Sequence, residues 1–186
     1  MNYKANISLE PIAMENATGS VKTAFEITQS KFGFVPNMYM NLANSPSAFA
    51  TYLSGYNIFR EQSGFTSAEQ EVVFLTISKE NDCRYCIAAH SMLADKMSGV
   101  PLQAVHAIRN GEVIEDEKLA ALSVFVRAVL LSHGRPVDSE VNAFLQAGYK
   151  QEQILEIVLA IAVKTISNYT NHLFNTDIDT AFANHA

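Results

Sequence analysis

The chain has 186 residues, of which 48% are hydrophobic and 17% charged, and a formal net charge of −6. This length and apolar share predict one domain with a full core. The 13 basic residues are scattered, so nucleic acid and anionic membrane surfaces, which select clustered positive charge, are excluded as expected partners. The most apolar stretch, 154–163, is short and contains Glu156, so no membrane span is expected. The opening Met1-Asn2-Tyr3-Lys4-Ala5-Asn6 lacks the apolar core of a signal peptide, and a cytoplasmic location is the expectation. Thiols are held reduced there, so paired cysteines point to catalysis or metal binding rather than to a structural staple. The acceptor pattern Asn168-Tyr169-Thr170 is then a chance match.

No segment alternates apolar and polar residues between turn residues as a strand does, so the expected fold is all-α. An extended arm is expected over about 1–17, then a helix over 21–32 stopped by Gly33. Phe34-Val35-Pro36 is a bend and 37–43 a short helix. Ser45-Pro46 supplies an N-cap and a first-turn proline for a helix to about Ser63. Thr66-Ser67-Ala68-Glu69 spells a capping box and opens a helix to about Glu80. Asn81-Asp82 should break that helix and cap the next, over 83–97. Further helices are expected over 102–109, 116–132, 138–146 (capped by Asp138) and 151–174, with a polar, peripheral tail from Asn175. An internal helical repeat is suggested. Without gaps, Gly64-Phe65 aligns with Gly148-Tyr149, Tyr85 with Tyr169, and the cysteine positions with Ser167 and Thr170. A duplication with one active half, and two unrelated amphipathic helices that look alike after a glycine, both fit.

The chemistry concentrates in Cys83-Arg84-Tyr85-Cys86-Ile87-Ala88-Ala89-His90, which holds both cysteines of the chain. On a helix Cys83, Cys86 and His90 fall at i, i+3 and i+7 and share one face. Two thiols are thereby close enough to form a disulfide, with an imidazole beside them that can take a proton. Attack on a peroxide or disulfide needs thiolate, and a helix start stabilises negative charge by only about 0.3–1 kcal/mol. His90 is therefore expected to supply most of the activation, with Arg84 a nearby positive charge. The pairing also explains turnover: one sulfur becomes a sulfenic acid, the other condenses with it, and a dithiol reopens the disulfide. The rival reading is a Cys2His zinc site built from the same three residues. Structural zinc needs a further ligand pair that the chain lacks, and three ligands along one helix make an uncommon zinc geometry. No metal or cofactor is therefore expected.

The segment from Glu71 to His90 resembles the alkyl hydroperoxidase D (AhpD) branch of the carboxymuconolactone decarboxylase superfamily, whose pattern is a glutamate on one helix and C-x-x-C-x-x-x-H opening the next. Phe32-Gly33-Phe34-Val35-Pro36-Asn37 followed by Ser45-Pro46 is similar to its peroxidase-related subgroup. The resemblance implies an all-α, AhpD-like multi-helix bundle spanning 1–186 as one domain, with the C-x-x-C core at about 45–110 and C-terminal helices at about 116–174. It also implies a thiol-dependent peroxidase that assembles as a homo-oligomer (dimer, trimer or hexamer), takes a small hydroperoxide, and is reset by a dithiol or redox protein. Residue by residue, Cys86 would attack, Cys83 resolve, His90 accept the proton and Glu71 orient or recharge His90. Read without the resemblance, Glu71 is a solvated first-turn carboxylate, and the exposed helix start makes Cys83 the outer sulfur that meets the reductant. The chain departs from the pattern at Tyr85, where well-known members carry a histidine. A phenol is a poor base, though it could donate a hydrogen bond to a bound peroxide, and a packing role for Tyr85 fits equally well. The decarboxylase members lack the cysteine pair, so lactone decarboxylation is not expected. The alternatives are a general disulfide reductase and a non-enzymatic redox-sensing oligomer using the same cysteines. His172 could approach the site from the second copy, but a hydrogen-bonded interfacial histidine is the simpler expectation. His106, His133 and His185 need no function. Phe32, Phe34, Tyr39, Phe49, Tyr52, Tyr56 and Phe59 are expected in core and interface, in part lining an apolar entrance.

Overall fold

A computed structural model describes residues 7–186. The start of the expected arm, 1–6, lies outside these described residues. The rest of the arm is stitched down. Ile12 N–H donates to the Met40 carbonyl (2.9 Å), and Asn44 Nδ2 donates to that of Glu10 (2.9 Å). Helix α1 (Gly19–Phe32) ends at Gly33, whose φ of 83° is the left-handed stop that a side chain resists. Then come α2 (Asn37–Leu42) and α3 (Pro46–Gln62), the latter capped by Ser45.

Helix α4 (Ser67–Glu80) is the axis of the fold. Its capping box forms as the sequence predicts, and every residue from Glu69 to Ser78 is buried. A helix covered on all sides shows little amphipathic period, so nothing in the local pattern marks Glu71 as buried. Helices α5 (Arg84–Leu93), α6 (Leu102–Asn110), α7 (Glu117–Leu131) and α9 (Glu152–Phe174) all pack on it, while α8 (Asp138–Gln146) packs on α7. The last turn expected for the 83–97 helix is a π-helical segment, Ala94–Ser98. Among the described residues no strand forms, and no helix is long and apolar enough to cross a membrane.

Three local expectations are corrected. Asn81-Asp82 does break α4, with Asp82 at φ 51°, but neither residue caps α5. Cys83 is the N-cap residue, and the Asn81 amide is tied to Asn168 Oδ1 on α9 (2.9 Å) instead. Helix α8 is capped from Glu140, which accepts the Val137 N–H (2.9 Å), rather than by Asp138. The tail is not peripheral. It returns over α5 as a 3-10 helix, Thr180–His185, with Phe182 buried and His185 Nε2 bonded to Asp95 Oδ2 (3.0 Å).

The suggested repeat is echoed where the two helices begin. Glu69 Oε2 accepts the Thr66 N–H (2.8 Å), and at the aligned positions Gln153 Oε1 accepts the Lys150 N–H (2.9 Å). The aligned rings of Phe65 and Tyr149 meet edge to face at 5.8 Å. The two segments then diverge, because α9 runs straight through the positions where Asp82 turns the chain.

Helices α3 and α9 cross closely at Gly55, where an added Cβ would sit 2.8 Å from Val163 Cγ2. A branched side chain there must push α9 outward. Overpacking of this kind costs about 1–3 kcal/mol, more than the few tenths that valine gains over glycine in helix propensity. Gly55→Val is therefore expected to lower the melting temperature by about 4–8 °C, measured by calorimetry.

Candidate active site

The site begins with a carboxylate that has no freedom. Glu71, on α4, is 1% exposed; its Oε1 is bonded by Arg60 from α3, and its Oε2 lies 2.8 Å from His90 Nδ1 on α5. Arg60 is itself fixed. It donates to Gln70 Oε1 (3.1 Å) and Tyr56 Oη (2.8 Å), and its guanidinium lies over the rings of Tyr56 and Phe74. Burial alone would raise the Glu71 pKa, but the His90 and Arg60 contacts outweigh it and hold the carboxyl below the ordinary value. The reading of Glu71 as a solvated first-turn carboxylate is thus overturned, since α4 has no solvent face at this position.

An ionised carboxylate can only accept, so His90 Nδ1 carries the proton and Nε2 keeps its lone pair. His90 is buried against the Phe74 ring (5.0 Å between centroids). Burial, with the nearby Lys164 charge, lowers its pKa despite Glu71, which leaves a neutral imidazole with a basic Nε2.

Both cysteines are free thiols and both are buried. Asn171 of α9 reaches them together, its Nδ2 lying 3.3 Å from Cys86 Sγ and 3.8 Å from Cys83 Sγ. The two thiols differ sharply. Burial opposes ionisation of Cys86, but a hydrogen bond from Cys83, the Lys164 ammonium and His90 together hold it well below the ordinary thiol range. The same hydrogen bond between the two sulfurs, reinforced by burial, pushes Cys83 up, so it stays a thiol. The neighbouring thiol and Lys164 thus act on Cys86 together with His90. Arg84 points to solvent.

Cys86, not Cys83, faces open space. A cavity of about 430 Å³ is lined by Cys86, His90, Lys164, Tyr85 and mostly apolar side chains from α1, α2, α3, α5 and the tail, with Thr28, Lys31, Asn57 and Glu61 also on its wall. Of the expected aromatic set, Phe32, Phe34, Tyr39, Tyr52 and Tyr56 line it, while Phe49 and Phe59 sit in the core. Cys83 is 0% exposed and does not line the cavity, so the expectation that it is the outer sulfur is overturned. The N-cap position is covered by α9, and a helix start is exposed only when nothing packs over it.

Tyr85 is not free to meet a peroxide. Its hydroxyl donates to Asp179 Oδ2 (2.5 Å) and accepts the Met38 N–H (3.5 Å), and its ring packs edge-on against Phe182 (5.9 Å). Tyr85 thus anchors the tail to α5 and α2, which corrects its reading as a donor to substrate. His172 is exposed and stacked on Tyr169, away from the cavity. Among the described residues no three His, Cys, Asp or Glu side chains are placed to hold a metal ion, and the Cys83, Cys86 and His90 set does not assemble as one.

Four residues of the site were missed from sequence: Arg60, Lys164, Asn171 and Asp179. Lys164 did leave a signal. It lies on the same helical face as Ile157, Ala160 and Asn168, which makes it a lysine on an inward face. It is 1% exposed.

With this geometry in place, the comparisons with known proteins settle the fold. No protein-family model matches the chain. It superposes on an alkylhydroperoxidase AhpD-core, peroxidase-related protein from Ralstonia eutropha JMP134 with a TM-score of 0.82. Identity is 21%, over 94% of this chain and 93% of that one. A peroxidase-related protein from Silicibacter sp. TM1040 gives a TM-score of 0.75 at 18% identity, over 94% and 95%. The debrominase Bmp8, in a cysteine-to-alanine form with 2,3,4-tribromopyrrole bound, gives 0.79 at 16% identity, over 98% and 97%. An uncharacterized protein of Bacillus subtilis (strain 168), YdfG, is 27% identical over 105 residues, 55% of this chain and 71% of its own length. The chain therefore has the all-α AhpD-like fold, shared by proteins described as peroxidase-related and by a debrominase.

Proposed function

We propose that the chain is a thiol-dependent peroxidase for small apolar hydroperoxides. One observation carries the reading: Cys86 is the cavity's only sulfur nucleophile, held toward thiolate beside an imidazole whose tautomer Glu71 fixes. Before the first turnover the Cys86 proton is accepted at His90 Nε2 and passes on to solvent, so that Cys86 enters the cycle as thiolate. The thiolate attacks the distal peroxide oxygen, giving Cys86 sulfenic acid and an alkoxide. Cys83, kept as a thiol one turn away, condenses with the sulfenic acid and releases water. A dithiol or redox protein then reopens the disulfide through Cys86, the sulfur that faces the cavity. The reaction suits a reducing, cytoplasmic setting.

The test is multiple-turnover consumption of cumene hydroperoxide with dithiothreitol as reductant, against turnover of a small disulfide under the same conditions. Peroxide consumption well above the disulfide rate supports the peroxidase. The reverse ranking identifies a general disulfide reductase. A single oxidation event without turnover identifies a redox sensor.

We infer further that the working unit is a homo-oligomer built on α9. Its outer face carries Leu155, Val158, Tyr169 and Leu173, each about half exposed or more, along a helix of 23 residues. A contiguous apolar stripe of that length fits burial against a second copy. Leu155→Glu combined with Tyr169→Lys is expected to reduce the mass in light scattering to that of one chain. An unchanged mass would remove α9 from the interface.

A further inference from the structure

Lys164 is a buried cation without a carboxylate. Among the described residues every buried Glu or Asp near the site is taken: Glu71 by Arg60 and His90, and Asp179 by Tyr85 and the Asn37 N–H. Lys164 forms no ion pair, lies over the Phe74 ring (5.7 Å), and lines the cavity with Cys86. The one carboxylate on the same cavity wall, Glu61, is exposed, so the buried negative charge left to partner Lys164 is the Cys86 thiolate. Oxidation removes that partner, because a sulfenic acid or disulfide is neutral, and it would leave a lone buried ammonium in a mostly apolar cavity. The same step creates an alkoxide, a strong base, in the same cavity.

We propose that Lys164 is the acid that protonates the leaving alkoxide. This rests on the peroxidase reading above. Cys86 S⁻ forms a bond to the distal oxygen of ROOH as the O–O bond breaks, so sulfur is oxidised and the peroxide reduced. RO⁻ takes a proton from the Lys164 ammonium and leaves as ROH. Cys83–SH then displaces hydroxide from Cys86 sulfenic acid, its own proton completing the water. A dithiol reduces the disulfide to Cys83 thiol and Cys86 thiolate, and the proton it releases restores the ammonium. Charge in the cavity is conserved at every stage.

No other group on the cavity wall is suited to this step. His90 is neutral, and its one N–H is committed to Glu71. Tyr85 is committed to Asp179. Burial pushes the hydroxyls of Tyr39, Tyr52 and Tyr56 up, so they hold their protons. Lys31 also lines the cavity but is exposed to solvent, whereas Lys164 is buried.

The experiment compares two oxidants on wild type and Lys164→Met in single turnover, following loss of protein thiols. Cumene hydroperoxide must expel an alkoxide. Peroxybenzoic acid has a similar ring but expels benzoate, which leaves without a proton. The ratio of the two rates within one preparation is independent of how much protein is folded and of how much Cys86 is ionised. Lys164→Met is expected to slow the alkyl hydroperoxide at least about 100-fold and to change the peroxyacid less than about 10-fold. An equal fall with both oxidants would reduce Lys164 to a counter-ion for the thiolate, and an unchanged ratio with unchanged rates would remove it from the reaction. If neither oxidant consumes wild-type thiols, the peroxidase reading itself falls, and no alkoxide exists for Lys164 to protonate.

Discussion

Cys86→Ser is expected to end peroxide turnover while leaving the fold in place. Serine has nearly the same shape, so the contacts of α5 survive, but a hydroxyl does not ionise in the range where a thiol can. The thermal midpoint should therefore move little, while the rate falls to the uncatalysed level. The companion variant, Cys83→Ala, which leaves neither a thiol nor a hydrogen-bond donor, should behave differently in two ways. It should consume one equivalent of peroxide and then stop, because no second thiol exists to condense with the sulfenic acid, which a 1,3-diketone should trap. It should also need higher pH for that single event, because the Cys83 hydrogen bond is the largest of the influences that lower Cys86. Ultraviolet thiolate absorbance across pH reads this directly. A transition at the same pH in wild type and Cys83→Ala would contradict the assignment of the hydrogen bond between the two sulfurs. A transition near the free-cysteine value in wild type would contradict an activated Cys86 altogether.

Helix positions were legible in this sequence because each boundary carries its own chemistry. Gly33 ends α1, Ser45-Pro46 starts α3 and Thr66 with Glu69 starts α4, all through local backbone groups. The pairing of Glu71 with His90 was legible only through a resemblance, since their contact spans two helices. The remaining members of the site were set by long-range packing. Arg60 reaches Glu71 because α3 lies beside α4, and Asn171 reaches both sulfurs because α9 closes over the N-cap of α5. That same closure buried Cys83 against expectation. The tail was misread because its composition is polar, whereas its role rests on two residues, Asp179 and Phe182, both meeting Tyr85. Tyr85, taken as a departure from a catalytic pattern, is in this chain a structural anchor.

The expectation with the widest consequences concerns Glu71→Gln. An amide offers one oxygen and one NH₂ where the carboxylate offered two oxygens. Arg60 is donor-only, so the amide oxygen must turn toward it and the NH₂ toward His90 Nδ1. His90 then has to accept at Nδ1 and carry its proton at Nε2, the opposite tautomer. The nitrogen that should take the Cys86 proton becomes a donor, and the peroxide rate is expected to fall by about 10²–10⁴. Nitrogen chemical shifts of His90 would show the exchange directly, and an unchanged tautomer with an unchanged rate would end the relay assignment. Stability should fall by about 3 kcal/mol, because the partly buried guanidinium loses its charged partner. The pH dependence has a definite sign. The folded Glu71 pKa lies below its ordinary value of 4.5, so its stabilisation is complete above that value and is lost as pH falls below it. The lowered His90 pKa acts in the same direction, removing stability as pH falls below 6.5. Wild type should therefore lose stability steeply on acidification and Glu71→Gln more gradually below 4.5, so that their urea midpoints converge in acid. Parallel midpoints across that range would mean that the Glu71 pKa is the same in the folded and unfolded protein.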